Sequence, residues 1–292
     1  MKPASKLFSK LLLVVVPLTA ASVLPTLPSY AATLTTSRTT TFISNFSPFA
    51  FDVGAAADTD TLTIATGLGE ATATANADSF LLPIFGASIS ESSASGTGFN
   101  YLGFARSEAA VTGSFNVQRV FSFNFLSQFT LSASIDNPAL EAAFASTRIG
   151  FNLFSVGDGT EELLDSFSFG NSLELFGQSG SSNAPALTIL QPSDNVSFLP
   201  FTSLQTNGNQ SIASALLLGQ YSRTFDAPVT LRLEQFQINE TAVQAVPTPS
   251  LLPGLLFNFV LLPLMRRKRK KSEQLATQPV EVQNEFHPLE MR

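Results

Sequence analysis

The 292-residue sequence predicts an all-β protein. Residues 32–245 are expected to form a single antiparallel β-sandwich, jelly-roll-like, flanked by two short apolar segments near the chain ends. Three observations predict this. Apolar residues recur with period two, clusters of turn formers interrupt them at fairly regular spacing, and Phe supplies most of the large apolar side chains. Of the 27 Phe in the chain, 23 lie between Phe42 and Phe236. Burying each contributes roughly 1.5–3 kcal/mol, enough in sum to support a core without disulfides.

Residues 1–31 have the three parts of an export signal. Lys2, Lys6 and Lys10 make a positive start, and "LLLVVVPLTAASVL" from Leu11 to Leu24 makes the apolar stretch. "SYA", Ser29 to Ala31, places small residues at the −3 and −1 positions of a cleavage site, so export through the Sec machinery is expected, with cleavage between Ala31 and Ala32.

The first strand signals after that site are the weakest, "TTTFISNF" at Thr39 and "TDTLTIAT" at Thr59. The strongest runs from Val111 to Ile135. Val111, Phe115, Val117, Phe121, Phe123 and Phe125 share one parity, with Ser, Thr, Asn and Gln on the other, as in a strand with one buried and one wet face. Alternation resumes at Ile149, Phe151 and Leu153, at Phe167 and Phe169, and at Leu187 and Ile189. It closes with Val229, Leu231 and Leu233, followed by Phe236 and Ile238. "DNP" at Asp136, "GDG" at Gly157, "QPSDN" at Gln191 and "QTNGNQS" at Gln205 read as turns. "NPALEAAFA" from Asn137 suits either a short helix, with Pro138 in its first turn, or the start of a strand. The hydroxyl and amide side chains between the Phe positions are expected on the strand surfaces.

Composition excludes much chemistry. The chain has no Cys, its single His is His287, and no Lys lies between Leu11 and Met265. Residues 32–245 therefore lack the groups of Ser-His, Cys-His, Ser-Lys and Schiff-base catalysis. They carry 18 Asp and Glu against six Arg, a net charge of −12, which repels phosphate backbones and argues against nucleic-acid binding. Carboxylates cluster at Asp58 and Asp60, and at Asp158, Glu161, Glu162 and Asp165. A carboxyl pair across a sugar is the one enzymatic route this inventory leaves, and without Trp platforms it is a poor one. Asp158, Glu161 and Glu162 form the candidate calcium site, since Ca²⁺ favours hard oxygen ligands in irregular loops. A sandwich of this kind also suits a glycan-binding module, with or without calcium.

Residues 246–271 hold three pieces in series. Pro247, Thr248, Pro249 and Ser250 force an extended backbone. The apolar run "LLPGLLFNFVLLPLM" follows, and then the basic cluster Arg266, Arg267, Lys268, Arg269, Lys270 and Lys271. The run from Leu251 to Met265 would span only about 22 Å as a helix, short for a hydrocarbon core of about 30 Å. A transient stop, held by cytoplasmic positive charge, fits it better than a permanent anchor.

This plan resembles the PEP-CTERM sorting signal in its variant where Pro-Thr-Pro replaces Pro-Glu-Pro. The resemblance implies an exosortase-type membrane protease as partner, cutting near residues 247–250, and association with exopolysaccharide and biofilm. It covers some 27 residues and carries no activity for the body. Thr248 departs from the family's usual Glu, and residues 272–292 continue past the basic cluster as a polar tail expected to be disordered. The expectation from the whole chain is an exported, non-catalytic surface or matrix protein. A single-pass anchored protein is the alternative if the tail is retained.

Overall fold

The structure, a computed structural model, describes residues 32–157, 160–176 and 187–245. Numbered along the chain, the twelve strands fall into two six-stranded antiparallel sheets. One sheet runs β10 (Val196–Asn207), β11 (Gln210–Thr224), β6 (Val120–Ser134), β1 (Ala32–Ser47), β4 (Phe85–Thr97), β3 (Glu70–Leu81). The other runs β2 (Asp52–Ala65), β5 (Tyr101–Val117), β12 (Val229–Ala245), β7 (Glu141–Gly157), β8 (Thr160–Phe176), β9 (Thr188–Gln191). We call them the β1 sheet and the β12 sheet. They pack face to face as a sandwich, and the chain crosses between them after β1, β2, β4, β5, β6, β9 and β11, which gives the jelly-roll-like character.

The Val111–Ile135 stretch is two strands rather than one. β5 ends at Val117, Gln118 and Arg119 turn the corner, and β6 opens in the opposite sheet. A two-residue connection preserves parity, so Phe115 and Phe121 both point inward and sit 4.7 Å apart. Arg119 O accepts the Phe225 amide at 2.7 Å, which fixes this corner to the end of β11. At Asn137 the strand alternative holds. Asn137 Oδ1 accepts the Ala139 amide and its carbonyl accepts Leu140 and Glu141, a single turn before β7 begins. The "TNGN" turn joins β10 to β11 through Gly208, whose φ of 57° suits glycine.

The interior has two unlike parts. Between β6 and β11 on one side and β7 and β8 on the other lies an aromatic core. Phe123 stacks on Tyr221 at 5.2 Å and on Phe151 at 5.7 Å, and Phe151 stacks on Phe167 at 4.6 Å. Between β1 and β4 on one side and β5 and β12 on the other, the inward positions are polar. Thr33, Thr35, Ser37, Thr39 and Thr41 of β1 are fully buried, as are Gln235, Gln237, Asn239 and Thr241 of β12.

This corrects two sequence expectations. The hydroxyl and amide residues line the interior here as well as the surface. Phe236 and Ile238 face outward, because β12 keeps one register from Leu231 to Ala245 against β7 and nothing flips its parity. The outward Phe236 ring covers Gly150, where a side chain would collide with it, and the Arg148 guanidinium lies 5.6 Å from its centroid.

Side chains satisfy much of the polar interior by bridging the sheets. The Thr39 and Thr147 hydroxyls meet at 2.7 Å, and the Thr39 hydroxyl donates to Asn239 Oδ1 at 2.7 Å. Asn239 Nδ2 donates to the Ser90 carbonyl at 2.6 Å, and the Ser90 hydroxyl meets Ser107 Oγ at 2.7 Å. The path runs β7, β1, β12, β4, β5 and crosses the sandwich at each step. Gln235 Nε2, Gln237 Oε1 and Thr241 Oγ1 are buried without a partner among the described residues.

Both ends of the sandwich chain lie together. Ala245 pairs with Tyr101 and Glu141, and the Tyr101 hydroxyl donates to Thr33 Oγ1 at 2.6 Å. Glu141 Oε2 accepts the Asp136 and Asn137 amides, and Asp136 Oδ2 accepts the Ala32 amide at 2.6 Å.

Candidate functional site

A cleft of about 860 Å³ opens where β8, the β9–β10 turn and the end of β11 meet. The register between β7 and β8 shifts here. Leu153 pairs with Asp165 but Phe154 pairs with Leu163, so Leu164 is an extra residue. Such a bulge re-aims the side chains beside it. It puts Asp165 on the inner side, at the mouth of the aromatic core, while Leu163 stays half-exposed outside.

The Asp165 carboxylate is the organising group. Its Oδ2 accepts Asn195 Nδ2 at 2.7 Å, the Tyr221 hydroxyl at 2.9 Å and the Ser193 hydroxyl at 3.0 Å. The "QPSDN" turn supplies two of these donors. Ser193 Oγ also accepts the Asn195 amide, and the Asn195 carbonyl accepts the Ser222 amide, which ties the turn to β11. Arg223 Nη1 donates to the Leu164 carbonyl at 2.6 Å and lies 4.0 Å from Asp165 Oδ2. Burial pushes the Tyr221 hydroxyl well above its ordinary pKa, and the Asp165 charge adds to the effect. Tyr221 therefore stays a neutral donor to the carboxylate.

The cleft thus offers Asp165, Asp194, Arg223, Asn195, Ser193 and Thr224, a mixture of carboxylate, guanidinium, amide and hydroxyl. Such a set exchanges hydrogen bonds with polyhydroxylated ligands. Asp165 was legible in the sequence as one of a run of carboxylates. Asn195 was legible only as part of the "QPSDN" turn and Arg223 only as one of six Arg in the body, and nothing in the sequence joined either to Asp165.

The proposed calcium residues do not converge in the described part of the structure. Glu161 forms a bidentate pair with Arg232, Oε1 to Nε at 2.7 Å and Oε2 to Nη2 at 2.6 Å. Glu162 is exposed and, as the next residue on the strand, faces the other side. Asp158 lies outside the described residues, and among those described no group of three carboxylates or imidazoles is placed to hold a metal. Asp58 and Asp60 sit on β2, across the β12 sheet from β8, in register with Glu108 and Arg106. Ala31, Pro247, Thr248, Pro249, Ser250 and Arg266 to Lys271 lie outside the described residues, whereas Ala32 is the first residue of β1.

No family model matches the chain, and no curated protein matches it. Among solved structures it is similar to the translocator domain of the autotransporter NalP from Neisseria meningitidis. The identity is 13% and the TM-score 0.18, over 82% of this chain and 94% of that one. It is also similar to ExeD of Aeromonas hydrophila, at 8% identity and a TM-score of 0.12, over 96% of this chain and 60% of the other. Likeness at those scores carries no inference about fold or activity.

Proposed function

We propose that the protein is an exported, non-catalytic surface or extracellular-matrix protein. Its sandwich is delivered by the Sec machinery and processed at the C-terminal side by an exosortase-type protease, in company with exopolysaccharide. The observation supporting this reading is the plan of the sequence at its two ends. An export-signal pattern runs up to Ala31, and Pro247 to Ser250 are followed by an apolar run and the basic cluster Arg266 to Lys271. The described strands, from Ala32 of β1 to Ala245 of β12, lie between the two expected cuts. Cutting at both places would spare every described strand. Intact mass of the exported protein tests this, with termini expected at Ala32 and near residues 247–250. Recovery of the exported form with residues 272–292 attached would replace it with a single-pass anchored protein.

The cleft favours a second reading, a glycan-binding module. Asp165, Asn195 and Arg223 present fixed acceptors and donors at the sandwich end far from Ala245. Leu233, two strands from Asp165 in register, is twelve residues from Ala245, or roughly 40 Å. Titrating polysaccharide fragments into the protein should give binding that Arg223→Ala weakens. Equal binding by the variant assigns recognition elsewhere.

A further inference from the structure

The outer face of the β1 sheet carries an apolar belt in register across all six strands. Leu199 pairs with Leu218, Leu218 with Leu126, Leu126 with Phe42, Phe42 with Ala87, and Ala87 with Phe80. Phe201, Leu216 and Ile89 add to the next row, with Gln128 and Thr40 between them, and on the other side Phe85 ends an uncharged polar row of Ser44, Asn124, Gln220 and Ser197. The belt is open: Phe42 is 43% exposed, Phe80 46%, Phe201 58% and Leu199 66%. Nothing in the described residues covers it.

We propose that this face binds a second copy of the chain, sheet against sheet. Charge is the first reason. Asp78 at the rim is the one charged residue in the two main rows, so two such faces meet without juxtaposing the net acidity of the body. One row further out Arg38 faces Glu91 in register, an opposite pair of no net charge. The ion pairs of Arg106 and Arg232 lie on the outer face of the β12 sheet, with Arg106 held between Glu108 and Glu240, and Arg232 on Glu161. Area is the second reason. Six strands about 4.8 Å apart and three rows about 6.8 Å apart cover on the order of 550 Å² per copy. Two copies bury about 1,100 Å², which clears the roughly 1,000 Å² expected of a specific interface. A face that binds itself is isologous, so a two-fold axis near the sheet centre would bring Gln128 close to its counterpart.

The β10 and β9 edges are poorer candidates for self-association. β10 has Pro200 in mid-strand, and β9 is only four residues long. The proposal stands apart from the sorting reading, because the belt is present whether or not the chain is cut.

The chain has no cysteine, so a single introduced thiol reports one face without background. In the full chain, oxidation of Gln128→Cys should give a disulfide-linked dimer. Ser172→Cys, on the exposed outer face of the β12 sheet, should give at least tenfold less. Adding Phe42→Asp should weaken association roughly a hundredfold, the equivalent of one buried phenylalanine. Phe201→Ser, on the exposed edge strand, should weaken it less and leave the thermal melt unchanged, which guards against a folding artefact. The proposal is overturned by a monomer from Gln128→Cys, by equal dimer from both faces, or by cross-linking of Gln128→Cys to a different protein.

Discussion

On the β6, β11, β7 and β8 side, inward positions hold Phe123, Tyr221, Phe151 and Phe167 in mutual ring contact. On the β1, β4, β12 and β5 side, equivalent inward positions hold Thr39, Ser90, Asn239 and Ser107, joined by hydrogen bonds. Both parts are buried between the same two sheets, but different physics holds them. Ring packing is strong and only loosely directional, whereas the bridges require each donor to meet one acceptor. The aromatic part therefore supplies most of the stability. The polar part fixes how the sheets sit on each other, since a one-residue slip would turn every bridging side chain to the wrong face.

The largest test of this division is Phe123→Ala. It removes contacts to Phe46, Tyr221 and Phe151 and should cost about 3–5 kcal/mol in denaturant unfolding. A cost below that of a polar-side variant would reverse the assignment. Next in size is Thr39→Val, which leaves Thr147 and Asn239 without their shared hydroxyl and should cost about 1–3 kcal/mol. The same substitution at Thr241 should act in the opposite direction. Its hydroxyl has no partner among the described residues, so Thr241→Val should stabilise by up to about 1 kcal/mol. Equal effects at the two threonines would mean that the bridges contribute nothing particular.

The smallest effect under ordinary conditions concerns the two tyrosines, one in each part. Burial raises the pKa of both, with the Glu141 charge adding at Tyr101 and the Asp165 charge at Tyr221. Above the ordinary tyrosine value of about 10 the unfolded chain releases these protons while the fold retains them. Stability should therefore be unaffected by these groups through neutral pH and fall as pH climbs beyond about 10. The Tyr101→Phe, Tyr221→Phe double variant should flatten that alkaline decline. An unchanged decline would trace it to other groups.

The sequence made the aromatic part readable and hid the polar one, for one physical reason. Period-two alternation is visible when the buried parity is apolar, as from Phe121 to Phe125 or Ile149 to Leu153. In β1 and β4 the buried parity is Thr and Ser, with Thr, Ser, Arg and Glu among the outward residues, so the contrast nearly vanishes. β12 misled at Phe236 and Ile238 because from Gln235 to Thr241 its inward residues are polar and its large apolar ones face outward. The cleft was half legible. Asp165 stood in a visible run of carboxylates, but its partners come from residues 28 to 58 positions away, and a bulge decides which way it points.

The placement of β12 has a mechanical consequence. It is hydrogen-bonded on both sides, to β5 from Val229 to Ala245 and to β7 from Leu231 to Ala245. With the opposing hold at the cleft end of the sandwich, tension applied beyond Ala245 acts along the strand axis, so those bonds are loaded in shear and must yield nearly together instead of peeling one by one. The strand that a tether would pull is the one least able to slide out. Stretching the protein by its C-terminal side should give one high rupture force, and a stepwise low-force extension would show that the load travels another way.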